Sequence, residues 1–412
     1  MDPPLRFAMV TTFYPPYSFG GDGIFVHRLA NELARRGHHV TLIHSADAYS
    51  FLAGREPAGS YDDHPNITVH ALRSGFSPLS LLVSHQTGRP ALYAAELRRL
   101  LGDDFDVIHY HNVSLVGGPG VLAMGRALKL YTMHEYWLGC PTHALFRFNR
   151  APCAARFCAL CSLSYGRPPQ WWRYTGILEA AVRQVDLFLA PSRFLEQKHR
   201  EFGLKAPIVH LANFVPGPED SELVAEAPGA SPYFLFAGRL ESLKGLHTLI
   251  PVFRRYRRAR LVVAGAGSSE AQLRNMARGC DNIEFLGHVP GGRVGALLRG
   301  AAALLVPSIN FESSPLVVLE AFCQETPAIV RGIGSMPEAI QESGAGFLYQ
   351  ADEELIRAMV LLLDRPSLRR ELGLRGRAAW ARTWSPAAHL ERYLGLVAEC
   401  LARKQRTAAH LG

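Results

Sequence analysis

Two carboxylates eight positions apart are the first candidates for ligand binding. Glu312 precedes Ser314 and Pro315, a pair that is typical of a helix start. Glu320 lies a little over one turn inside the helix that starts there. We predict Ser314 as the N-cap and Pro315 as the first helical residue. A loop carboxylate and a helix carboxylate could then bind hydroxyl groups at two levels of one site. Glu320 stands in an apolar stretch and would need a polar partner if buried.

Two cations follow the strand predicted at 233–237. Arg239 lies between Gly238 and Leu240, and Lys244 precedes Gly245. Arginine offers a fixed fork of donors and lysine a mobile point charge, a combination that suits a diphosphate. The alternative interpretation is a pair of solvated surface cations.

Glycines open the first predicted helix. Gly20 and Gly21 would let backbone N–H groups approach an anion at that helix start. Their spacing is not the dinucleotide G-x-G-x-x-G, and no Lys-Ser or Lys-Thr follows as in a P-loop. A structural turn therefore remains the alternative.

Four of the seven cysteines fall within 22 residues, spaced C-x12-C-x4-C-x2-C. They are Cys140, Cys153, Cys158 and Cys161. Four thiolates could form a closed tetrahedral zinc site or hold an iron–sulfur cluster, and we expect a structural role for such an ion. The alternative is four cysteines without metal, either as thiols or paired in disulfides. Cys280, Cys323 and Cys400 are expected to be core residues.

Short apolar runs alternate with helix-length segments, which predicts βαβ units and parallel sheets of the α/β class. The predicted strands are 7–10, 40–44, 67–72, 107–111, 128–133 and 187–191, then 233–237, 261–264, 283–287, 303–307, 328–330 and 346–349. The segment 205–232, rich in Pro and Gly, is the predicted linker. We therefore expect an N-terminal domain at 1–208 with a cysteine-rich insertion at 137–165, a C-terminal domain at 209–384, and a terminal helix at 385–412 docked on the N-terminal domain.

Composition limits the class of protein. With 412 residues, 48% apolar and 19% charged, the chain should form two globular domains. It has no uninterrupted apolar run of membrane-spanning length and no signal-like start, so we expect a cytoplasmic protein. The net charge of +8 favours anionic partners and permits peripheral contact with an anionic membrane at its inner face. Nucleic acid is not expected, because no RNA- or DNA-binding motif is present. The run from Arg254 to Arg260 is interpreted as a solvated helix end.

Taken together, these motifs resemble the retaining glycosyltransferases of the GT-B fold, specifically family 4, over nearly the whole chain. The order and spacing of the parts carry the resemblance. They are Pro15-Pro16 with Gly20-Gly21, the segment from Asp106 to His111, Gly238-Arg239 with Lys244-Gly245, Gly265 with Gly267, Gly287-His288-Val289, the Glu-x7-Glu pair, and Gly332-x-Gly334-Ser335-x-Pro337-Glu338. The segment from Trp137 to Pro141 resembles a subgroup that carries a four-cysteine insertion. The resemblance implies two Rossmann-like, doubly wound domains facing a central cleft.

The resemblance also implies roles for individual residues. The backbone at Gly20 and Gly21, with Arg239 and Lys244, would hold the diphosphate of a nucleotide sugar, and Glu320 would bind the ribose hydroxyls. Several further residues would contact the donor or stand near the acceptor. Glu312 and the backbone at Ser314, Pro315 and Leu316 would hold the sugar, Gly267 and Val289 would lie near the base, and His111 would lie beside sugar and acceptor.

The implied reaction moves a sugar from a nucleotide-diphosphate donor to an acceptor hydroxyl with retention and without a metal. Beside the cysteine cluster, four residues could line the acceptor side. They are His134, Glu135, Trp171 and Trp172. Packing explains the two tryptophans equally well.

Two departures concern the sugar subsite, and two other functions stay open. The chain has Gly334-Ser335 where the family often has Gly-Gly, and Ser313-Ser314-Pro315 where it often has Gly-Phe-Gly. The alternatives are a nucleotide-sugar epimerase on the same fold and a degenerate GT-B chain that only binds. Base, sugar and acceptor are not predicted.

Overall fold

A computed structural model describes residues 3–57, 59–153, 157–218 and 232–411. The chain divides into an N-terminal unit, Met1–Ala212 with His389–Gly412, and a C-terminal unit, Asn213–Ala388. The domain boundaries predicted from the sequence lie after residues 208 and 384. Part of the predicted linker, 219–231, lies outside the described residues.

The N-terminal unit contains a seven-stranded parallel sheet in the order β3-β2-β1-β4-β5-β8-β9. Between the two edge strands the residues of the sheet are almost all buried, as expected where helices cover both faces of a parallel sheet. The strands of this unit are β1 Arg6–Val10, β2 His39–Ser45, β3 Ile67–Leu72, β4 Val107–Tyr110, β5 Leu128–Thr132, β6 Phe146–Arg147, β7 Ala151–Pro152, β8 Leu187–Ala190 and β9 Ile208–His210.

Seven α-helices accompany these strands in the described part of the unit. They are α1 Gly21–Arg35, α2 Ala46–Ala53, α3 Ser77–Thr87, α4 Ala94–Leu100, α5 Cys158–Ser164, α6 Ile177–Val182 and α7 Arg193–Glu201. In α1, Val26, Leu29, Ala30 and Leu33 are buried at the i, i+3, i+4, i+7 positions predicted from the sequence. Three-residue and four-residue 3-10 turns lie at Ala91–Tyr93 and Trp171–Tyr174.

The C-terminal unit repeats the architecture with a six-stranded parallel sheet in the order β12-β11-β10-β13-β14-β15. Its elements are β10 Tyr233–Ala237, α8 Leu246–Arg255, β11 Arg260–Ala264, α9 Glu270–Met276, β12 Ile283–Gly287, α10 Gly291–Gly300, β13 Ala303–Val306, α11 Leu316–Cys323, β14 Ala328–Arg331, α12 Met336–Ser343, β15 Gly346–Tyr349, α13 Asp352–Asp364 and α14 Pro366–Ala379. One core packs this sheet against its helices. The predicted α/β class and the twelve predicted strands are confirmed.

Two strand features differ from the sequence prediction. The start of the predicted linker, around Ile208, forms β9 and pairs with β8, because Ile208 can be buried there against Phe188. The cysteine-rich segment contains a small antiparallel hairpin, β6 with β7, which the sequence analysis did not predict. Two-residue strands carry too little periodicity to be detected from sequence.

The arginine run that ends α8 is neutralised by acidic side chains of its own unit. The ion pairs are Arg255–Asp352 at 2.6 Å, Arg257–Asp281 at 3.1 Å, Arg260–Glu284 at 3.0 Å, and Arg258 with Asp364. The run is therefore a solvated, paired surface, in line with the sequence interpretation.

The terminal helix α15, Pro386–Leu411, belongs from His389 onward to the N-terminal unit. The hydroxyl of its Tyr393 lies 3.0 Å from Nδ1 of His109, on β4, and the two rings stack. His389 donates from Nδ1 to the Ala212 carbonyl at 2.7 Å, and its ring lies edge-on to Phe25 of α1. These contacts join the end of the chain to the centre of the first sheet.

Among the described residues, no helix is both long enough and apolar enough to cross a membrane.

Acid should destabilise the N-terminal unit through its buried histidines. Burial lowers the pKa of His389 and of His134 to about 4, from an ordinary value of 6.5. The unfolded chain therefore takes up protons below pH 6.5 that the folded chain does not. The free energy of unfolding should fall between about pH 6.5 and 4, by about 1.4 kcal/mol per pH unit for each such histidine.

Denaturant titrations across this pH range test the prediction. His389→Phe keeps the ring but removes one titrating group, so the pH slope should become shallower even if absolute stability falls. An unchanged slope in His389→Phe would contradict the assignment.

Candidate functional site

The candidate donor residues of the C-terminal unit follow the carboxyl ends of its parallel strands. Strand order reverses between β10 and β13, the position where doubly wound sheets commonly bind ligands. Lys244 comes from the loop after β10, and Glu312 comes from the loop after β13. The topology thus places the two residues on either side of the reversal.

Lys244 and Glu312 form a direct ion pair. The Lys244 ammonium donates to Glu312 Oε1 at 2.8 Å, and the Ser308 hydroxyl donates to the same oxygen at 2.7 Å. The Glu312 side chain is 13% exposed, so both bonds offset the cost of removing a carboxylate from water. The pair keeps a cation and an anion fixed at the end of the sheet.

The pKa of Glu312 is held below its usual value. Burial by itself would raise this pKa, but the positive charge of Lys244, the hydrogen bonds from Lys244 and Ser308, and the charge of Arg239 together outweigh it. Glu312 is therefore an anion that accepts hydrogen bonds at neutral pH.

The loop after β14 fixes the backbone of Glu312. Ser335, itself buried, donates from its hydroxyl to the Glu312 carbonyl at 2.8 Å. From the sequence, Ser335 is part of the motif from Gly332 to Glu338 and a departure from the family's Gly-Gly, and Ser308 is not predicted. The sequence feature that could have indicated a role for Ser308 is its position two residues after a buried strand.

Arg239 lies in the turn after β10 and pairs with Glu241 at 2.7 Å. This guanidinium is 52% exposed, whereas the Lys244 side chain is 31% exposed. The turn is held against the loop after β11, where a side chain on Gly267 would meet the Leu240 carbonyl oxygen at 2.6 Å. Glycine at 267 therefore permits a close approach of two backbone segments.

Gly245 orients the loop that carries Lys244. Its φ is +73°, and an added Cβ would lie 2.1 Å from the carbonyl oxygen of Pro307. Both the left-handed backbone and the missing side chain are required here. The loop after β10 can pack on the loop after β13 for this reason.

The helix that carries Glu320 begins one residue later than predicted. Pro315 is the N-cap, with φ −78° and ψ 87°, and Leu316 is the first residue of α11. No side chain caps this helix start, so the predicted capping by Ser314 is wrong. With ψ at 87°, the backbone of Pro315 is not helical, so the helix starts at the next residue. Glu320 lies inside α11 and is partly buried. Val289 lies between β12 and α10, also partly buried.

In the N-terminal unit, the structure brings His111 and His134 together. These residues follow the ends of β4 and β5, and His111 Nδ1 lies 2.9 Å from His134 Nε2. Burial drives the pKa of His111 well below 6.5, and neighbouring His109 and His134 lower it further. The pair is therefore neutral and shares one proton along this bond. Within the described structure, His111 Nε2 is buried and has no hydrogen-bond partner.

The ring of His109 lies against His111 at a tilt of 37°, a contact that was not predicted from the sequence. His109 and His111 have ring centroids 4.0 Å apart, and His109 Nε2 lies 2.8 Å from Thr132 Oγ1. The only sequence feature that could have indicated this contact is alternation along β4, because residues two apart share a face of a strand.

The helix start at Gly20 and Gly21 lies beside the loop after β4. Gly20 is the extended N-cap of α1, and Asn112 donates to the carboxylate of Asp22 at 3.4 Å. The backbone N–H of Thr12 donates to the Asn112 carbonyl at 2.5 Å. These bonds position the first turn of α1 relative to β4.

The other acceptor-side candidates have different surroundings. Glu135 pairs with His143 at 2.7 Å. Trp172 is 2% exposed and donates to the His85 carbonyl at 3.0 Å, whereas Trp171 is 64% exposed. The structure therefore gives Trp172 a packing role and leaves Trp171 at the surface.

The four clustered cysteines lie on one small substructure around the β6–β7 hairpin. The Phe148 N–H donates to Cys161 Sγ at 3.3 Å, and Cys140 Sγ lies 3.3 Å from Thr142 Oγ1. Within the described ranges no disulfide joins any of the seven cysteines. In the same ranges, no three His, Cys, Asp or Glu side chains come together as a set that could hold a metal ion. The structural metal expected from the spacing of the four cysteines therefore stays a prediction.

Gly245→Ala should destabilise the C-terminal unit, because the new Cβ would collide with a carbonyl oxygen and would also strain the backbone. We expect a loss well above the roughly 1 kcal/mol typical of backbone strain alone. The matched control is Gly176→Ala, where φ is also +73° but nothing lies within 4 Å. Thermal and denaturant unfolding of both variants measure the difference. Equal losses in the two variants would contradict the close approach at Pro307.

Comparison with known proteins identifies the family. The model for Glycosyltransferase Family 4 matches residues 19–216, and the model for Glycosyl transferases group 1 matches residues 221–379. Among curated proteins, glycogen synthase of Mycobacterium tuberculosis is 26% identical over 92% of this chain and 91% of its own length.

Solved structures agree on the fold. Sucrose-phosphate synthase from Thermosynechococcus elongatus aligns with a TM-score of 0.75 at 19% identity, over 97% of this chain and 100% of that one. Anabaena HepE in complex with UDP-glucose aligns with a TM-score of 0.66 at 15% identity, over 97% and 100%. The chain therefore belongs to the glycosyltransferases of the GT-B fold, with a family 4 domain followed by a group 1 domain.

Proposed function

We propose that this enzyme transfers a sugar from a nucleotide-diphosphate donor to an acceptor hydroxyl, with retention of configuration and without a metal ion in the chemical step. The observation that carries the proposal is the Lys244–Glu312 pair at the reversal of the second sheet. It offers a cation for a departing diphosphate and an anion for sugar hydroxyls.

The donor residues divide by charge. Lys244 and the more exposed Arg239 would stabilise the negative charge that develops on the leaving diphosphate. The backbone N–H groups at the start of α11, at Ser314 and Leu316, would hold the sugar together with Glu312. Glu320, farther along α11, would accept from ribose hydroxyls. The structure of Anabaena HepE in complex with UDP-glucose supports a nucleotide-sugar donor of this class.

Retention is proposed without a covalent glutamyl intermediate. The Oε1 atom of Glu312 already accepts from Lys244 and Ser308, and its pKa is lowered. A carboxylate held in this way is a hydrogen-bond acceptor and a weak nucleophile. The leaving phosphate would instead take the acceptor proton, so no protein base is required.

In the N-terminal unit, His111 is proposed to contact the sugar and the acceptor through Nε2. Its partner His134 holds Nδ1 and so decides which tautomer His111 adopts. If His134 donates, Nε2 of His111 carries a proton and becomes a donor. If His111 donates, Nε2 becomes an acceptor.

Lys244→Ala should weaken nucleotide binding. Loss of charge-assisted hydrogen bonds to a diphosphate costs about 1.5–3 kcal/mol, so the dissociation constant for UDP or GDP should rise by about 10-fold to 100-fold. Isothermal titration calorimetry measures this directly. The matched control is Lys198→Ala in the N-terminal unit, which also breaks a Lys–Glu pair, at 2.7 Å, and should leave affinity unchanged.

A second variant separates binding from transfer. His111→Ala should keep nucleotide affinity and lose transfer, because its proposed contacts are with the sugar and acceptor. Product analysis by NMR then gives the anomeric configuration and excludes or reveals epimerisation of the donor. If wild-type protein bound no nucleoside diphosphate, or Lys244→Ala and Glu320→Ala left transfer intact, the donor assignment would be wrong.

The structural metal stays a prediction from cysteine spacing. Protein purified without chelator should contain about one zinc ion, or iron with visible absorbance, per chain. Cys158→Ala should lose the metal, and the core variant Cys280→Ala should keep it. Metal-free wild-type protein with four titratable thiols in this cluster would refute the prediction and leave the transferase proposal intact.

A further inference from the structure

Exposed large apolar side chains concentrate on three elements of the N-terminal unit. We define the apolar face by six residues, each between 51% and 64% exposed. They are Leu79 and Leu82 on α3, Leu160 and Leu163 on α5, and Trp171 and Tyr174 on the 3-10 turn. Exposure of this many large apolar groups on adjoining elements marks an interaction surface.

Each element presents these residues at a spacing of three. On α3, Leu81 and Ser84 are buried while Leu79 and Leu82 face solvent. The same division holds on α5, where Cys161 is buried between the two exposed leucines. Both helices therefore have one face in the unit's interior and a second apolar face outside it.

The three elements are neighbours. Trp172, in the 3-10 turn, donates to the carbonyl of His85 on α3 at 3.0 Å, and a side chain on Gly88 would meet its ring at 2.8 Å. The third element, α5, ends at Ser164, and only six residues separate it from the 3-10 turn that begins at Trp171. The exposed residues thus belong to one region of the unit.

The two sequence stretches that carry the apolar face contain basic residues and no acidic ones. No Asp or Glu occurs from residue 64 to 95 or from residue 136 to 178, whereas Arg89, Arg147, Arg150 and Arg167 occur there. Arg73 in the first stretch pairs with Glu56 at 3.0 Å, whereas none of these four arginines forms an ion pair with another described residue. The arginine run of the C-terminal unit differs, because four of its five members are paired with acids.

We propose that the apolar face docks on an anionic lipid surface. Leucines on short helices can enter the boundary between headgroups and acyl chains, and Trp171 and Tyr174 are side chains that favour this boundary. The unpaired arginines then meet lipid phosphates, which supply the negative charge that the segments themselves lack.

Charge argues against a second copy of this chain as the occupant. A symmetric dimer through this face would place the arginines of one copy against those of the other, with no acid in either segment to pair with them. An anionic bilayer would bury the same apolar groups and would also supply negative charge to the arginines. This inference does not depend on the proposed transfer reaction.

Vesicle co-sedimentation of the full chain tests the proposal. We expect binding to phosphatidylcholine vesicles that contain ~30% phosphatidylglycerol, little binding to phosphatidylcholine alone, and loss of binding as NaCl rises from about 0.1 M to about 0.5 M. Leu160→Asp with Leu163→Asp should lower partitioning at least about tenfold, because two apolar contacts are lost and two negative charges are added. Arg167→Gln should lower it about fivefold.

The matched control is Leu374→Asp on α14 of the C-terminal unit, where the leucine is 53% exposed, and it should bind vesicles like wild type. Circular dichroism and thermal unfolding establish that each variant is folded. Absence of binding to anionic vesicles would overturn the proposal, as would equal binding by wild type and the double variant. Sedimentation equilibrium that showed a dimer dissociated by the double variant, with no vesicle binding, would assign the face to a second copy instead.

Discussion

Parallel pairing of the strands is the constraint on which both candidate sites depend. In a parallel sheet every strand ends at the same edge, so loops that are far apart in sequence meet there. In the C-terminal unit this convergence joins Lys244 to Glu312, which are 68 residues apart. In the N-terminal unit it joins His111 to His134, 23 residues apart. Chemistry at the ends of the strands is thus a consequence of topology before it is a property of any one side chain.

The two units place charge in opposite ways. In the C-terminal unit, buried charge is paired, and Glu312 stays ionised because a lysine, a hydroxyl and a nearby arginine outweigh the cost of burial. In the N-terminal unit, the central ionisable groups are histidines that burial keeps neutral, including His109 and His111. A neutral, hydrogen-bonded imidazole can donate or accept without carrying charge, which suits contact with hydroxyl groups. A fixed cation suits a diphosphate.

Close backbone approach is the second structural requirement. Gly245 and Gly267 occupy positions where a methyl group would collide with a carbonyl oxygen of the neighbouring loop. The loops after β10, β11 and β13 can pack together only with glycine there. The close approach of these loops therefore accounts for glycine at both positions.

The α/β class, the twelve principal strands and the family could be predicted from the sequence, because apolar periodicity and the spacing of glycines and charges are local properties. The sequence also identified both members of each central pair, though not that they touch. Only the tertiary structure decided that Ser308 and Ser335 hold Glu312, that Tyr393 of the terminal helix reaches His109, and that Ile208 belongs to a strand. These features depend on residues brought together by folding, and a single hydroxyl or a three-residue strand has no local pattern that distinguishes it. The exposure of the apolar face could likewise not be predicted from the sequence, because an apolar residue at helical spacing is expected in the core until its neighbours are known.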